Sequence, residues 1–158
     1  MNYDELWPGG PCLIKDDHVF SLGTDAVMLA SFASTAGVKS VCDLGCGSGI
    51  IALLIALKNE RIHADGIELQ PVSAQIAREN AALNGLAERM NIIEGDLRAH
   101  RTMPGAGAYD LVVSNPPYFA VSSGKSADDI HAALSREERT CTLADVCKAA
   151  GYFSVLTF

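Results

Sequence analysis

The sequence predicts an α/β domain, a mostly parallel sheet with helices packed on both faces. Three observations carry this. Short apolar runs of strand character alternate with longer helical segments, the loops between them are short, and a glycine-rich turn directly follows a buried run. Strands that alternate with helices over short loops are joined by crossovers, and crossovers produce parallel pairing.

The elements follow in order. In the lead-in, Pro8-Gly9-Gly10-Pro11 reads as a turn and residues 12–15 as a short strand. Thr24 or Asp25 can cap a helix that runs from Ala26 toward Gly37. Residues 40–44 form a buried strand, Gly45-Cys46-Gly47-Ser48-Gly49 the turn after it, and residues 50–57 an apolar helix. Residues 63–69 are a second strand. Pro71 suits the first turn of the next helix, where its missing N–H is not needed, and Asn84-Gly85 supplies a left-handed end. Residues 90–93 and 109–114 complete the strands, and residues 143–150 form another helix before Gly151. The last stretch, Tyr152 to Phe158, reads either as a fifth strand or, the favoured reading, as the altered end of a truncated chain that lacks the usual last strands. Such a chain would expose an apolar sheet edge, so self-association as a homodimer is expected.

The chain has 158 residues, of which 49% are hydrophobic and 20% charged, a balance that fits one globular domain over residues 1–158. It divides into a lead-in with its helix (1–39), a core (40–118) and a substrate-side segment (119–158). No apolar run reaches the roughly 18 residues that a membrane span needs. The start carries Asp4 and Glu5 where an export signal carries base. Five cysteines stand in no disulfide or metal-ligand spacing, so reduced thiols, a cytoplasmic location and no metal site are expected. A formal charge of −7 argues against a surface coated in nucleic-acid-binding base, but leaves room for a local basic patch.

In sheets of this kind ligands sit beyond the carboxyl ends of the strands. Four groups of candidate residues lie there. Gly45 and Gly47 allow a sharp turn and a close approach to the main chain. Ile50 stands where a dinucleotide fingerprint needs its third glycine, which disfavours a pyrophosphate ligand. Asp43 ends the strand before the turn and can accept hydrogen bonds or offset a cation. Glu68 ends the next strand, with Leu69 beside it, where an acid can hold ribose hydroxyls. Asp96, followed by Leu97, is placed after the third strand to accept from an adenine amine. Ser114-Asn115-Pro116-Pro117-Tyr118 closes the fourth strand: the two prolines remove N–H donors, Asn115 adds an acceptor oxygen, and Tyr118 offers a flat stacking face. Fixed acceptors on both N–H groups of a planar amine localise its lone pair for attack on an electrophile.

Asp43 to Gly49, with Glu68 and Asp96, resembles the cofactor half of class I S-adenosylmethionine-dependent methyltransferases. The resemblance implies a Rossmann-like three-layer sandwich and S-adenosyl-L-methionine as cofactor. It places Gly45 and Gly47 under the methionine part, Glu68 on the ribose, and Asp96 with Leu97 around the adenine. Asn115 to Tyr118 resembles the acceptor motif of amino-methyltransferases acting on adenine N6, on guanine N2 of ribosomal RNA, or on a glutamine side chain. The segment from Phe20 to Ala30, and Cys141-Thr142-Leu143-Ala144-Asp145-Val146, are similar to the tRNA1(Val) adenine-37 N6-methyltransferase family. That resemblance implies a tRNA substrate, and Gly23, Thr24 and Asp25 closing over the methionine end of the cofactor, against the plainer reading of these three as a helix cap. Lys125, Arg136, Arg139 and Lys148 are the basic residues nearest the acceptor end.

Overall fold

The computed structural model describes residues 3–14, 23–116 and 141–155. A short antiparallel hairpin, β1 (Tyr3–Glu5) and β2 (Cys12–Ile14), precedes helix α1 (Thr24–Phe32). Then come β3 (Ser40–Leu44), α2 (Ile50–Lys58), β4 (His63–Glu68), α3 (Pro71–Leu83) and β5 (Met90–Glu94). A 3-10 helix (Leu97–Thr102), kinked at Ala99, leads to β6 (Leu111–Val113), and helix α4 (Leu143–Phe153) follows. The four central strands are parallel in the order β5-β4-β3-β6. This is the expected α/β, Rossmann-like sheet.

Side chains alternate across that sheet with the strand period of two. Val41, Ala64, Ile92 and Val113 join a core with the buried faces of α1, α2 and α3. Cys42, Leu44 and Ile67 face the other way, into a smaller core with Tyr109 and with Ala149 and Phe153 of α4. Helices therefore cover both faces. Helix α2 is buried from Ile50 through Ala56, which explains its nearly continuous apolar sequence. Its end is held by Arg89, whose Nη1 donates to the carbonyls of Ala56 and Ile62 at 3.1 and 2.9 Å. Lys58 in turn donates to the carbonyls of Ala30 and Ser31 at the end of α1, a favourable place for a cation on a helix dipole.

Four expectations need correction. Thr24 and Asp25 are not caps: Gly23 is the N-cap, without a side-chain hydrogen bond, and both residues lie inside the first turn. Helix α1 stops at Phe32, whose side chain is exposed, rather than running on to Gly37. The fourth strand is shorter than residues 109–114, because the Asp110 carboxylate accepts from the Lys39 and Ser40 N–H groups at 2.8 and 3.0 Å and bends the chain there. Tyr152 and Phe153 are helical rather than strand: α4 continues through Gly151 because Phe153 is fully buried, and Ser154 forms a single parallel bridge to Tyr109, while residues 156–158 of that stretch lie outside the described residues.

Candidate cofactor and acceptor site

The site grows from the carboxyl ends of β3, β4 and β6. Asp43 pairs in register with Gly66 on one side and with Val113 on the other, so the glycine turn and Asn115 leave neighbouring strands at the same level. The Ser114 hydroxyl donates to the Leu44 carbonyl at 2.8 Å and ties the two exits together. Gly45, Gly47 and Gly49 take φ of +70, +55 and +80°, a region that side chains disfavour. A Cβ added at Gly45 or Gly47 would meet nothing within 4 Å, so the space over the turn is open. At Gly49 it would lie 2.6 Å from Met90 Cε and 3.0 Å from Ala77 Cβ, where α2 packs on its neighbours.

Three acids differ sharply in environment. Asp43 is fully buried, and both of its carboxyl oxygens lack a hydrogen-bond partner. Burial pushes its pKa up to about 7; the Ala52 N–H in the first turn of α2 lowers it without reaching hydrogen-bond geometry, and the Glu68 charge raises it. Glu68 accepts from the Gly47 N–H at 2.8 Å on one oxygen and from the Gln70 N–H at 2.9 Å on the other. A carboxylate has about four lone-pair sites, so each oxygen keeps capacity for one more donor, the number a ribose diol offers. Asp96 caps the 3-10 helix through the Arg98 N–H, and the Arg98 guanidinium grips it from the side with Nε at 3.0 Å from both oxygens. That ion pair holds the Asp96 carboxyl below its ordinary pKa.

Of the remaining candidates, Leu97 is buried and Leu69 is exposed beside Glu68. Asn115 and Pro116 are half-buried at the end of β6. Pro117, Tyr118, Lys125, Arg136 and Arg139 lie outside the described residues. Gly23, Thr24 and Asp25 are exposed at the start of α1. The five cysteines are unpaired: Cys42 and Cys46 are buried, with thiol pKa values raised chiefly by burial, Cys12 and Cys141 are half-buried, and Cys147 is exposed.

Residues 14–141 match the Methyltransferase small domain family. The chain belongs to that family. Its members are class I S-adenosylmethionine-dependent methyltransferases, and the family's cofactor is S-adenosyl-L-methionine. Among curated relatives, the tRNA1(Val) (adenine(37)-N6)-methyltransferases of Yersinia pestis strain Pestoides F and of Yersinia enterocolitica serotype O:8 are each 42% identical over 106 residues. Those residues are 66% of this chain and 42% of each relative, so the match spans less than half of the relatives' length. The structure of the mitomycin 7-O-methyltransferase MmcR aligns with a TM-score of 0.50 at 26% identity, over 58% of this chain and 25% of that one. An O-methyltransferase family protein from Burkholderia thailandensis shares the fold with a TM-score of 0.50 at 22% identity, over 56% of this chain and 26% of its own.

The residues present fit the family's cofactor. Asp43 is a buried acid without a partner, the glycine turn is an open cradle that a Cβ would fill, and Glu68 has spare acceptor capacity. The sequence alone missed two residues that hold this candidate site together. Arg98 claims Asp96, a pairing that its spacing of two residues makes available but does not require. Asn80, fully buried, accepts from the Ile14 N–H at 2.8 Å and donates to the Ser48 carbonyl at 3.0 Å, so it ties the lead-in strand to the glycine turn. An asparagine on a helix face otherwise made of small and apolar residues is the signal that could have found it.

Proposed function

We propose that this chain carries the catalytic core of a cytoplasmic S-adenosylmethionine-dependent N-methyltransferase that modifies the exocyclic N6 amine of an adenine in tRNA, at anticodon-loop position 37. The observation that carries the reading is the register of β3 with β6, which brings Gly45 and Asn115 out of the sheet side by side. The names of the curated relatives support the nucleotide and the RNA.

When bound, the cofactor supplies an electrophilic methyl group. The rest of the chemistry falls to this chain. An exocyclic amine is a weak nucleophile because its lone pair is delocalised into the ring. The Asn115 side-chain oxygen, with a neighbouring main-chain carbonyl, would accept its two N–H bonds and favour a pyramidal nitrogen. Pro116 has no N–H, so the motif presents acceptors without a competing donor at that position. Pro117 and Tyr118 would add stiffness and a stacking face. Glu68, and Asp43 behind the turn, would hold the polar parts of the cofactor, with Gly23 to Asp25 covering its methionine end and Asp96 with Leu97 and Leu69 around the nucleoside.

Transfer of labelled methyl to unmodified tRNA, followed by nucleoside analysis, tests the reading. We expect N6-methyladenosine, and a loss of roughly 100-fold or more in Asn115→Ala, the size seen when a preorganised polar group is removed. Label on guanine or in protein would select a ribosomal RNA or glutamine methyltransferase instead. Cofactor binding without transfer to any of these would mark a catalytically silent module.

A further inference from the structure

The lead-in hairpin is flanked by a helix rather than by a third strand. β1 and β2 make a two-stranded sheet, and a hairpin of that size is marginal in water by itself. Every second residue of β2 turns its backbone toward α3 instead. Asn84 Oδ1 accepts from the Cys12 N–H at 2.9 Å, and Asn84 Nδ2 donates to the Cys12 carbonyl at 2.7 Å, the pair of bonds a neighbouring strand would make. Asn80 Oδ1 accepts from the Ile14 N–H at 2.8 Å. The match has a geometric origin. Two residues of strand advance about 6.8 Å and four residues of helix about 6 Å, so asparagines four apart on α3 meet alternate residues of β2. Leu6 and Leu13 add apolar contact with the main core.

Asn80 also reaches the glycine turn. Fully buried, it donates from Nδ2 to the Ser48 carbonyl at 3.0 Å. Glu68 holds the Gly47 N–H at 2.8 Å, and Ala77, one turn before Asn80 on α3, packs under Gly49. The turn is thus fixed from two sides before any ligand arrives. A glycine-rich turn needs this most, because each glycine has the largest conformational freedom to lose when a ligand orders it. Serving strand and turn together takes an acceptor and a donor on one side chain. The amide oxygen faces an N–H and the amide nitrogen faces a carbonyl, so a carboxylate at position 80 would set two acceptors against each other.

We propose that Asn80 and Asn84 are positioning residues for the cofactor, and that the β1–β2 hairpin braces the glycine turn through them, so that hairpin docking and S-adenosylmethionine binding strengthen each other. The proposal rests on the reading of this turn as the cofactor's cradle. The path is short: Asn84 fixes β2, β2 orients Asn80, and Asn80 holds Ser48. Linkage makes the coupling reciprocal. A docked hairpin that raises cofactor affinity by some factor is itself held more firmly, by the same factor, once cofactor is bound.

The experiment follows amide hydrogen exchange of the full chain by NMR, with and without saturating S-adenosylmethionine. Cys12 reports the hairpin, since its N–H is held by Asn84 at a sheet edge, where opening is local. Its exchange should slow about fivefold on binding, the lower end of ordinary coupling. Asn80→Ala keeps Asn84 but cuts the link to Ser48, and there the cofactor should leave Cys12 exchange unchanged. Asn84→Ala removes bonds to Cys12 and to the Asn80 carbonyl, none of them to the turn. It should still weaken S-adenosylmethionine binding about fivefold by calorimetry. The two substitutions together should weaken binding no more than Asn80→Ala alone, because both break one path. Should Asn80→Ala not fold, the parent chain and Asn84→Ala decide. Cys12 exchange that ignores the cofactor, or that slows equally in Asn80→Ala, would overturn the proposal. So would losses that add in full, or an Asn84→Ala chain whose Ile14 exchanges freely while its affinity stays parental. A folded parent chain that binds no S-adenosylmethionine would overturn the cofactor reading first, and the proposal with it.

Discussion

Asp43 is the residue whose environment has the most measurable consequence. It has no exposed surface, neither carboxyl oxygen has a partner, and its pKa is raised to about 7 by burial. In the unfolded chain the same group ionises near pH 4. Between about pH 4 and 7 the folded chain therefore keeps a proton that the unfolded chain has lost. The stability from this group is complete below pH 4 and is lost as pH rises through 7. Asp43→Asn should remove that dependence, giving an unfolding free energy from urea titration higher than the parent chain's at pH 8, by on the order of 1–3 kcal/mol, but similar at pH 4. A cationic ligand favours the ionised carboxyl, so binding S-adenosylmethionine below pH 7 should release a proton, seen by calorimetry as a dependence on buffer ionisation enthalpy. Asp43→Asn should abolish the release and weaken binding about tenfold or more. Absence of proton release at pH 6 in the parent chain would contradict this role. Asp96 lies at the opposite extreme, held ionised by Arg98, and its charge is already balanced before any adenine arrives.

At the scale of elements, the glycine turn is set by what lies beneath it. Gly49 combines φ of +80° with Ala77 Cβ only 3.0 Å from an added Cβ, so Gly49→Ala should cost about 1–3 kcal/mol of unfolding free energy in denaturant titration and shift α2 off α3. Asn80→Ala removes two partly buried hydrogen bonds and orphans the Ile14 N–H, which should cost about 2–3 kcal/mol. It should also lower cofactor affinity, because the Ser48 carbonyl belongs to the turn; unchanged affinity with lowered stability would confine Asn80 to a purely structural role. The central strands were legible because each is a short buried run closed by a turn, and residues 40–44 match β3 fully. The helix caps were less so. Thr24 and Asp25 have the right chemistry for an N-cap, yet Gly23 takes the extended φ/ψ that the cap needs and leaves them inside the turn. Gly151 reads as a helix stop by propensity, but burying Phe153 outweighs the roughly 1 kcal/mol that a helical glycine costs. A long-range partner such as Ile14 for Asn80 depends on the fold, and the local pairing of Arg98 with Asp96 depends on rotamer, which the sequence pattern does not fix. Four of the cofactor-site candidates, Asp43, Gly45, Gly47 and Glu68, were read from strand ends, from the glycine-rich turn and from the family resemblance, and these lie together.

For the whole molecule, β6 is an edge of the parallel sheet and, among the described residues, meets no further strand, only the bridge between Tyr109 and Ser154. We propose that two copies pair along this edge, as exposed apolar edges tend to do. Sedimentation at micromolar concentration should show a dimer, and a clean monomer would contradict it. Among the described residues no helix is long and apolar enough to cross a membrane. The central claim is that this fold assembles the family's cofactor pocket from β3, β4 and the glycine turn. Calorimetric titration of S-adenosylmethionine into the chain, beside Glu68→Ala, tests it most directly, with circular dichroism of each sample confirming the fold. The account requires saturable one-site binding by the parent chain and a loss of at least tenfold in Glu68→Ala. A well-folded parent chain that binds no cofactor, or a Glu68→Ala chain that binds as tightly as the parent, would contradict it.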